Sequence, residues 1–251
     1  LASALSSDSG SVSATALEDS PEKRFITITA GQSANLAENT AAGGAVMTVA
    51  TSVTPTGCNI ATGDTDVDSD GNEPFSISAT CVITVNDAGD LNYESGTTTF
   101  TLTIHANQNT NTDVEDVTIT ITDVNDQTPT YSASSTTPSI AEGVTAVDAN
   151  RAITDTDSGD SNSCTLGGAD AGDFACTLTG QTAYTLAFSS APDYDSPADA
   201  NTDNVYAVTV TIDDGVNTGA TISYTVTVTD TNDQTPAVSV AATYNHAEAA
   251  S

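Results

Sequence analysis

Basic residues are almost absent from this chain. Its 251 residues include 3 Lys and Arg against 34 Asp and Glu, a formal charge of −31. A phosphate backbone is held by a basic surface, so nucleic acid is excluded as a partner. An anionic membrane surface is disfavoured on the same ground. Such a surface attracts metal cations and basic partners, and its acidity also keeps an extracellular protein soluble. Tryptophan is missing altogether, which removes the strongest stacking platform for sugar rings. There is no basic-then-apolar signal segment and no apolar run long enough to cross a membrane. A signal or anchor, if one exists, was removed or lies outside these residues, and a start at Leu1 rather than Met suits a processed chain or a fragment. Zinc finds no Cys-x-x-Cys pair, and the two histidines, His105 and His246, are far apart. Gly-x-Ser-x-Gly, His-Glu-x-x-His and phosphate-cradling loops are all absent. Isolated acids are so common that a carboxylate pair by itself signals nothing. The expectation is a non-enzymatic protein.

Large aliphatic residues are scarce too. Leu, Ile, Val and Phe supply 46 of 251 residues, about 18%, a composition at which disorder competes with folding. The pattern argues for a fold. Apolar and polar residues alternate with period two at 25–29, 98–104, 117–122, 205–212 and 222–229. Short alternating runs separated by Gly, Asn and Asp clusters, with no helical periodicity, indicate an all-β sandwich. Its cores must be thin, with Ala, Thr and Tyr filling much of the volume. Such domains are expected to draw support from disulfides, bound ions or neighbours.

Two near-identical heptapeptides organise the chain: Asp123-Val-Asn-Asp-Gln-Thr-Pro129 and Asp230-Thr-Asn-Asp-Gln-Thr-Pro236. Each directly follows an alternating run, Val117–Thr122 and Tyr224–Thr229. Their spacing of 107 residues is the size of one β-sandwich, so the chain reads as a tandem array in which the same acidic segment closes each unit. Asp and Asn oxygens in a short loop suit a hard divalent cation, Ca²⁺ before Mg²⁺. These residues also favour turns and simply end strands, but their repetition makes metal binding the better reading. The expected units are a flexible or strand-exchanging lead at 1–24, a first domain at 25–128, a second at 129–235 and a further strand at 236–251. That last segment, from Pro236 to Ala-Glu248, parallels Pro129 to Ala-Glu142. It reads as the first strand of a third repeat, or as a strand that joins another molecule's sheet. Four cysteines, Cys58, Cys81, Cys164 and Cys176, allow three pairings. Cys58–Cys81 with Cys164–Cys176 keeps each pair inside one unit, and paired cysteines imply an oxidising compartment.

These residues resemble bacterial cadherin-like repeats, a calcium-dependent β-sandwich family. The closing heptapeptide is similar to the family's Asp-x-Asn-Asp-x-x-Pro junction. Ala37-Glu38-Asn39 and Ala141-Glu142-Gly143 resemble its first-strand Glu motif. Leu91-Asn-Tyr-Glu94 and Pro192-Asp-Tyr-Asp195 stand where the family carries Leu-Asp-Arg-Glu or Leu-Asp-Tyr-Glu. Asp155-Thr-Asp157 resembles the Asp-x-Asp loop, and Ile212-Asp-Asp-Gly215 the late acidic loop. The resemblance covers roughly residues 25–248, and it rests on four motifs in the same order, twice.

The resemblance implies tandem Ig-like or cadherin-like Greek-key sandwiches in an elongated rod, stiffened by Ca²⁺ between consecutive domains. The first unit would supply Glu38, Glu94, Asp123, Asn125 and Asp126; the second would supply Asp155, Asp157 and one or both of Asp213 and Asp214. Asn92 replaces an expected Asp, which removes one charge. A second, half-built set comprises Glu142, Asp193, Asp195, Asp230, Asn232 and Asp233. Counting from the cysteines, Asp155 and Asp157 correspond to Val49 and Thr51; counting from Ile104 and Ile212, Asp213 and Asp214 correspond to His105 and Ala106. The first unit has lost both acidic sets at that end, which implies that no calcium-bridged domain precedes it.

Another acidic loop runs from Asp64 to Glu73. Asp66-x-Asp68-x-Asp70-Gly71 begins like an EF-hand, but its twelfth position is Ile77 rather than Glu. That leaves a loop-closing calcium site or a solvated turn. The expected function is a calcium-binding adhesion or spacer module on a cell surface or in a matrix, contacting surface proteins, glycans or copies of itself. The second reading is a subunit of an extracellular homopolymer joined by strand addition in trans. The third is an accessory part of a carbohydrate-active enzyme.

Overall fold

The computed structural model describes residues 25–132, 136–157, 159, 161–219 and 221–236. The lead expected at 1–24, and all but Pro236 of the terminal strand, lie outside the described residues. The chain divides into two compact units between Val124 and Asn125.

The first unit is a sandwich of seven strands. They are β1 (Gln32–Ala37), β2 (Ala45–Thr48), β3 (Gly57–Thr62), β4 (Phe75–Ile77), β5 (Val82–Val85), β6 (Thr99–Gln108) and β7 (Asn111–Thr122). One sheet has the order β1-β7-β6-β3 and the other β2-β5-β4. The alternation in β6 and β7 does the sorting. Phe100, Leu102, Ile104 and Ala106, with Val117, Ile119 and Ile121, point into the core, while the threonines between them face out. Asn109, with φ +53°, turns one strand into the other. The run at 25–29 forms only an isolated bridge, Ile28 with Thr51, although Ile26 and Ile28 are buried. The chain then changes sheet, and β1 pairs parallel to β7.

The second unit repeats this plan with eight strands: β8 (Thr130–Tyr131), β9 (Ser139–Ala141), β10 (Ala146–Thr154), β11 (Ser163–Gly167), β12 (Phe174–Thr179), β13 (Ala183–Phe188), β14 (Val205–Asp213) and β15 (Ile222–Thr229). Its sheets are β11-β14-β15-β9 and β12-β13-β10-β8. The first strand is again split, β8 antiparallel to β10 in one sheet and β9 parallel to β15 in the other. Tyr184, Tyr206 and Tyr224 are fully buried, so tyrosine fills the thin core as expected. Phe174, Phe188 and Tyr206 pack ring on ring at 4.4–6.0 Å.

Both disulfides join the two sheets of their own unit, Cys58–Cys81 and Cys164–Cys176. They are not equivalent bridges. Cys58 on β3 and Cys164 on β11 occupy matching places, but their partners do not. Cys81 sits at φ +58° just before β5, whereas Cys176 lies within β12.

Strand register corrects one sequence correspondence. Cys58 lies opposite Ala106, and Cys164 opposite Ile212. The hairpins agree, with Phe100 opposite Ile119 and Tyr206 opposite Val226. Ile212 therefore matches Ala106, so Asp213 and Asp214 match Asn107 and Gln108 rather than His105 and Ala106. A two-residue slip keeps every side chain on its own face, so alternation alone could not detect it. The substituted positions still carry no charge.

Candidate metal-binding residues

Glu38 follows β1 and is 6% exposed. A carboxylate can accept hydrogen bonds from two directions, and Glu38 does. Its Oε2 accepts from Tyr93 N–H at 2.7 Å and its Oε1 from Val124 N–H at 2.7 Å. It thereby fixes the single 3₁₀ turn Tyr93–Ser95, which carries Glu94, and the segment leaving β7, which carries Asp123. Glu142 does the same in the second unit. Its Oε2 accepts from Tyr194 N–H at 2.7 Å and its Oε1 from Thr231 N–H at 2.7 Å. It ties the loop bearing Asp193 and Asp195 to the segment bearing Asp230, Asn232 and Asp233. All five of these acids and amides are exposed.

Asn92 and Asp193 are matched by their bonds. Asn92 Oδ1 accepts from Ser95 N–H at 2.9 Å, while Asp193 Oδ1 accepts from Asp195 and Ser196 N–H at 3.0 and 3.2 Å. Either side chain closes its turn, which explains why the amide serves at position 92.

At the start of the second unit, three predicted acids are brought together. Asp157 Oδ2 accepts from Gln127 N–H at 2.7 Å. Asp214 Oδ1 accepts from Val216 N–H at 2.7 Å and from Asn217 N–H. The Asn217 amide then reaches Asn125 Oδ1 at 2.9 Å and the Gln127 carbonyl at 3.1 Å. The backbone of Gln127 and the side chain of Asn217 are clamps that the sequence reading missed, the first because a backbone contact does not depend on residue type; Asn217 had no repeated motif to mark it. Asp126 is exposed and accepts from its neighbour's Gln127 Nε2 at 2.6 Å.

The late acids part company. Asp213 is committed to its own turn, accepting from Gly215 N–H and Thr218 Oγ1. Asp214 is 3% exposed, and its backbone carbonyl accepts from Asn125 Nδ2 at 3.4 Å. Burial pushes its carboxyl up, but bonds from Asn217, Val216 and Asn125 outweigh that and hold it below the usual carboxylate range. Asp155 goes the other way. Burial raises it first, and the charges of Asp157 and Asp214 raise it further against the nearby N–H groups of Asp157 and Thr156. Both Asp155 oxygens and Asp157 Oδ1 are buried without a well-formed hydrogen bond. Buried carboxylate oxygens in that condition carry a desolvation cost. Several other acids that the sequence left unassigned are buried for structural reasons. Asp170 accepts from Ala200 and Ala207 N–H at 2.7 and 2.6 Å, and Asp199 from Asp203 N–H at 2.8 Å.

No protein-family profile matches the chain, and no curated protein sequence does. Solved structures do. Human protocadherin-24 EC1-2 is 16% identical with a TM-score of 0.64, covering 82% of this chain and 98% of that one. Drosophila N-cadherin EC1-4 is 16% identical with a TM-score of 0.60, covering 83% of this chain and 50% of that one. A protocadherin gammaB7 EC3-6 cis-dimer structure is 22% identical with a TM-score of 0.59, covering 81% and 46%. This chain thus spans about half the length of most of these neighbours. The fold of each unit is the cadherin repeat.

Proposed function

We propose that this chain is a calcium-binding extracellular adhesion or spacer module whose two units are stiffened by Ca²⁺ held at their junction. The observation that carries the reading is the duplicated Glu clamp together with the Asp155, Asp157 and Asp214 group. Glu38 and Glu142 each orient a mid-domain acid and a closing acidic segment through the same pair of backbone bonds. Asp155 and Asp157 present buried oxygens that protein donors leave unsatisfied. The cation would be held by Glu38, Glu94 and Asp123 of the first unit, by Asn125 and Asp126 where the second begins, and by Asp155, Asp157 and Asp214 of the second. The chain's residues orient these oxygens; the ion would offset their repulsion and tie the ends of a short linker. The second acidic set, at Glu142, Asp193, Asp195, Asp230, Asn232 and Asp233, suits a further junction of the same kind.

Two disulfides agree with an oxidising, extracellular setting. No helix among the described residues is long and apolar enough to cross a membrane. Partners that fit the surface are other surface proteins, glycans or further copies of this chain, met through cations or basic patches. The test is calorimetric titration of Ca²⁺ into chelator-stripped protein, with melting followed in parallel. Calcium at about 100 times its dissociation constant should stabilise the folded chain by about 2.7 kcal/mol per site, and X-ray scattering should show a narrower range of extensions. Absence of binding heat with unchanged melting in chelator would end the proposal.

A further inference from the structure

We propose that the first unit holds a divalent cation of its own, of the Ca²⁺ class, on the loop bearing Asp66, Asp68 and Asp70, which the buried carboxylate of Asp90 braces from within. One carboxylate oxygen from each of Asp66, Asp68 and Asp70 lies within 4.8 Å of the other two. Clustered acids on a surface are common without an ion, so the weight falls on Asp90. That residue sits between β5 and β6 and is fully buried. Its Oδ1 accepts from Val67 N–H at 2.5 Å and Asp68 N–H at 3.0 Å, so the carboxylate is pressed against the inner side of the loop. Its Oδ2, on the same carbon, is buried and has no hydrogen-bond partner. A buried carboxylate oxygen in that state carries a desolvation cost, which a nearby cation offsets.

The described residues of the first unit offer no Lys or Arg to do so, and the surroundings add more negative charge. Asp87 Oδ1 accepts from Gly89 N–H at 2.8 Å, and a Cβ at Gly89 would fall 2.3 Å from Asp68 Oδ2 and 3.3 Å from Asp87 Oδ1. Glycine at 89 thus leaves room for Asp68 and Asp87 to approach. The chemistry selected is a hard cation with several oxygen ligands on a flexible loop, which suits Ca²⁺ better than the strict octahedron of Mg²⁺. All of these residues belong to the first unit.

The experiment uses the full chain, stripped with chelator and titrated with Ca²⁺. Asp68 and Asp70 are exposed, so Asp68→Asn with Asp70→Asn leaves the core untouched. In Asp90→Asn the amide oxygen still accepts from Val67 and Asp68. The wild type should bind one more equivalent of Ca²⁺ than the double variant, and Asp90→Asn should weaken that equivalent by about tenfold or more, because a buried negative charge behind the loop is lost. Amide resonances of Val67 to Gly71 should shift with calcium in the wild type and stay fixed in the double variant. Equal stoichiometry in wild type and double variant, with those amides unmoved, would overturn the proposal. Glu38→Gln separates the two readings. If the loop amides still shift while Glu38→Gln titrates like the wild type, the junction proposal fails and this one stands.

Discussion

Replacing Arg151 by Met tests how the second unit tolerates its own acidity. Arg151 is the only Lys or Arg among the described residues, and it is 4% exposed. Its Nε donates to Asp148 Oδ2 at 2.9 Å, its Nη1 donates to the Ser132 carbonyl at 2.7 Å, and its guanidinium lies 5.4 Å from the Tyr224 ring centre. Tyr224 also donates to Asp148 Oδ2 at 2.7 Å, and its hydroxyl meets that of Tyr184 at 2.8 Å. Removing one partner of a buried pair costs about 3–5 kcal/mol, because the remaining charge stays desolvated. Asp148 keeps the Tyr224 hydroxyl and a side chain 14% exposed, so the lower end, about 3 kcal/mol, is expected. For a domain of this size that lowers the melting temperature by about 12 °C or more. Scanning calorimetry of the full chain in chelator should show one transition falling by that amount. A second transition, identified by its response to Ile83→Ala in the first unit, should stay in place. Adding Asp148→Asn to Arg151→Met removes the orphaned charge and should recover at least about 1 kcal/mol, the worth of a close coupled pair. A shift of under about 3 °C for Arg151→Met, or no recovery in the double variant, would refute the reasoning.

Alkali provides a second perturbation. Burial raises the hydroxyls of Tyr131, Tyr184, Tyr206 and Tyr224 above their ordinary value of 10.0, Tyr224 the most, helped by its bonds to Tyr184 and Asp148. An acid raised in the folded state stabilises below its unfolded value and loses that contribution as pH climbs. The second unit should therefore unfold cooperatively above pH 10, with these four of the seven tyrosines ionising in the same step. A gradual phenolate titration of all seven near pH 10, with the β signal retained, would contradict this. Reduction is the third. Chain-entropy arguments give the bridges spanning 23 and 12 residues about 3.4 and 2.8 kcal/mol. Reduced protein should lose both melting transitions near physiological temperature or show both well below their oxidised positions. Unchanged melting after complete reduction would show that the thin cores suffice alone.

The strand content, the repeat and the inward-facing residues were legible in the sequence because they are local. Alternation in 98–104 and 117–122 becomes β6 and β7 with the apolar face buried, and the duplicated heptapeptides directly follow β7 and β15. The cysteine pairing followed from keeping partners within one repeat. What the tertiary structure decided is non-local. Ile212 matches Ala106 rather than Ile104 because hydrogen-bonded register, not alternation, sets the correspondence. Cys81, in the turn before β5, and Cys176, within β12, meet equivalent partners from non-equivalent places. Asp213 turns into its own loop while Asp214 is buried, and Asp90, one acid among 34 Asp and Glu, is the one sealed against the loop at Asp66–Asp70. Composition set the problem, a large excess of carboxylates with hardly a basic residue to offset them. Which carboxylates are exposed to water, which are held by backbone N–H groups and which are left facing one another depends on distances between segments far apart in the chain, and only the folded arrangement of strands fixes those distances.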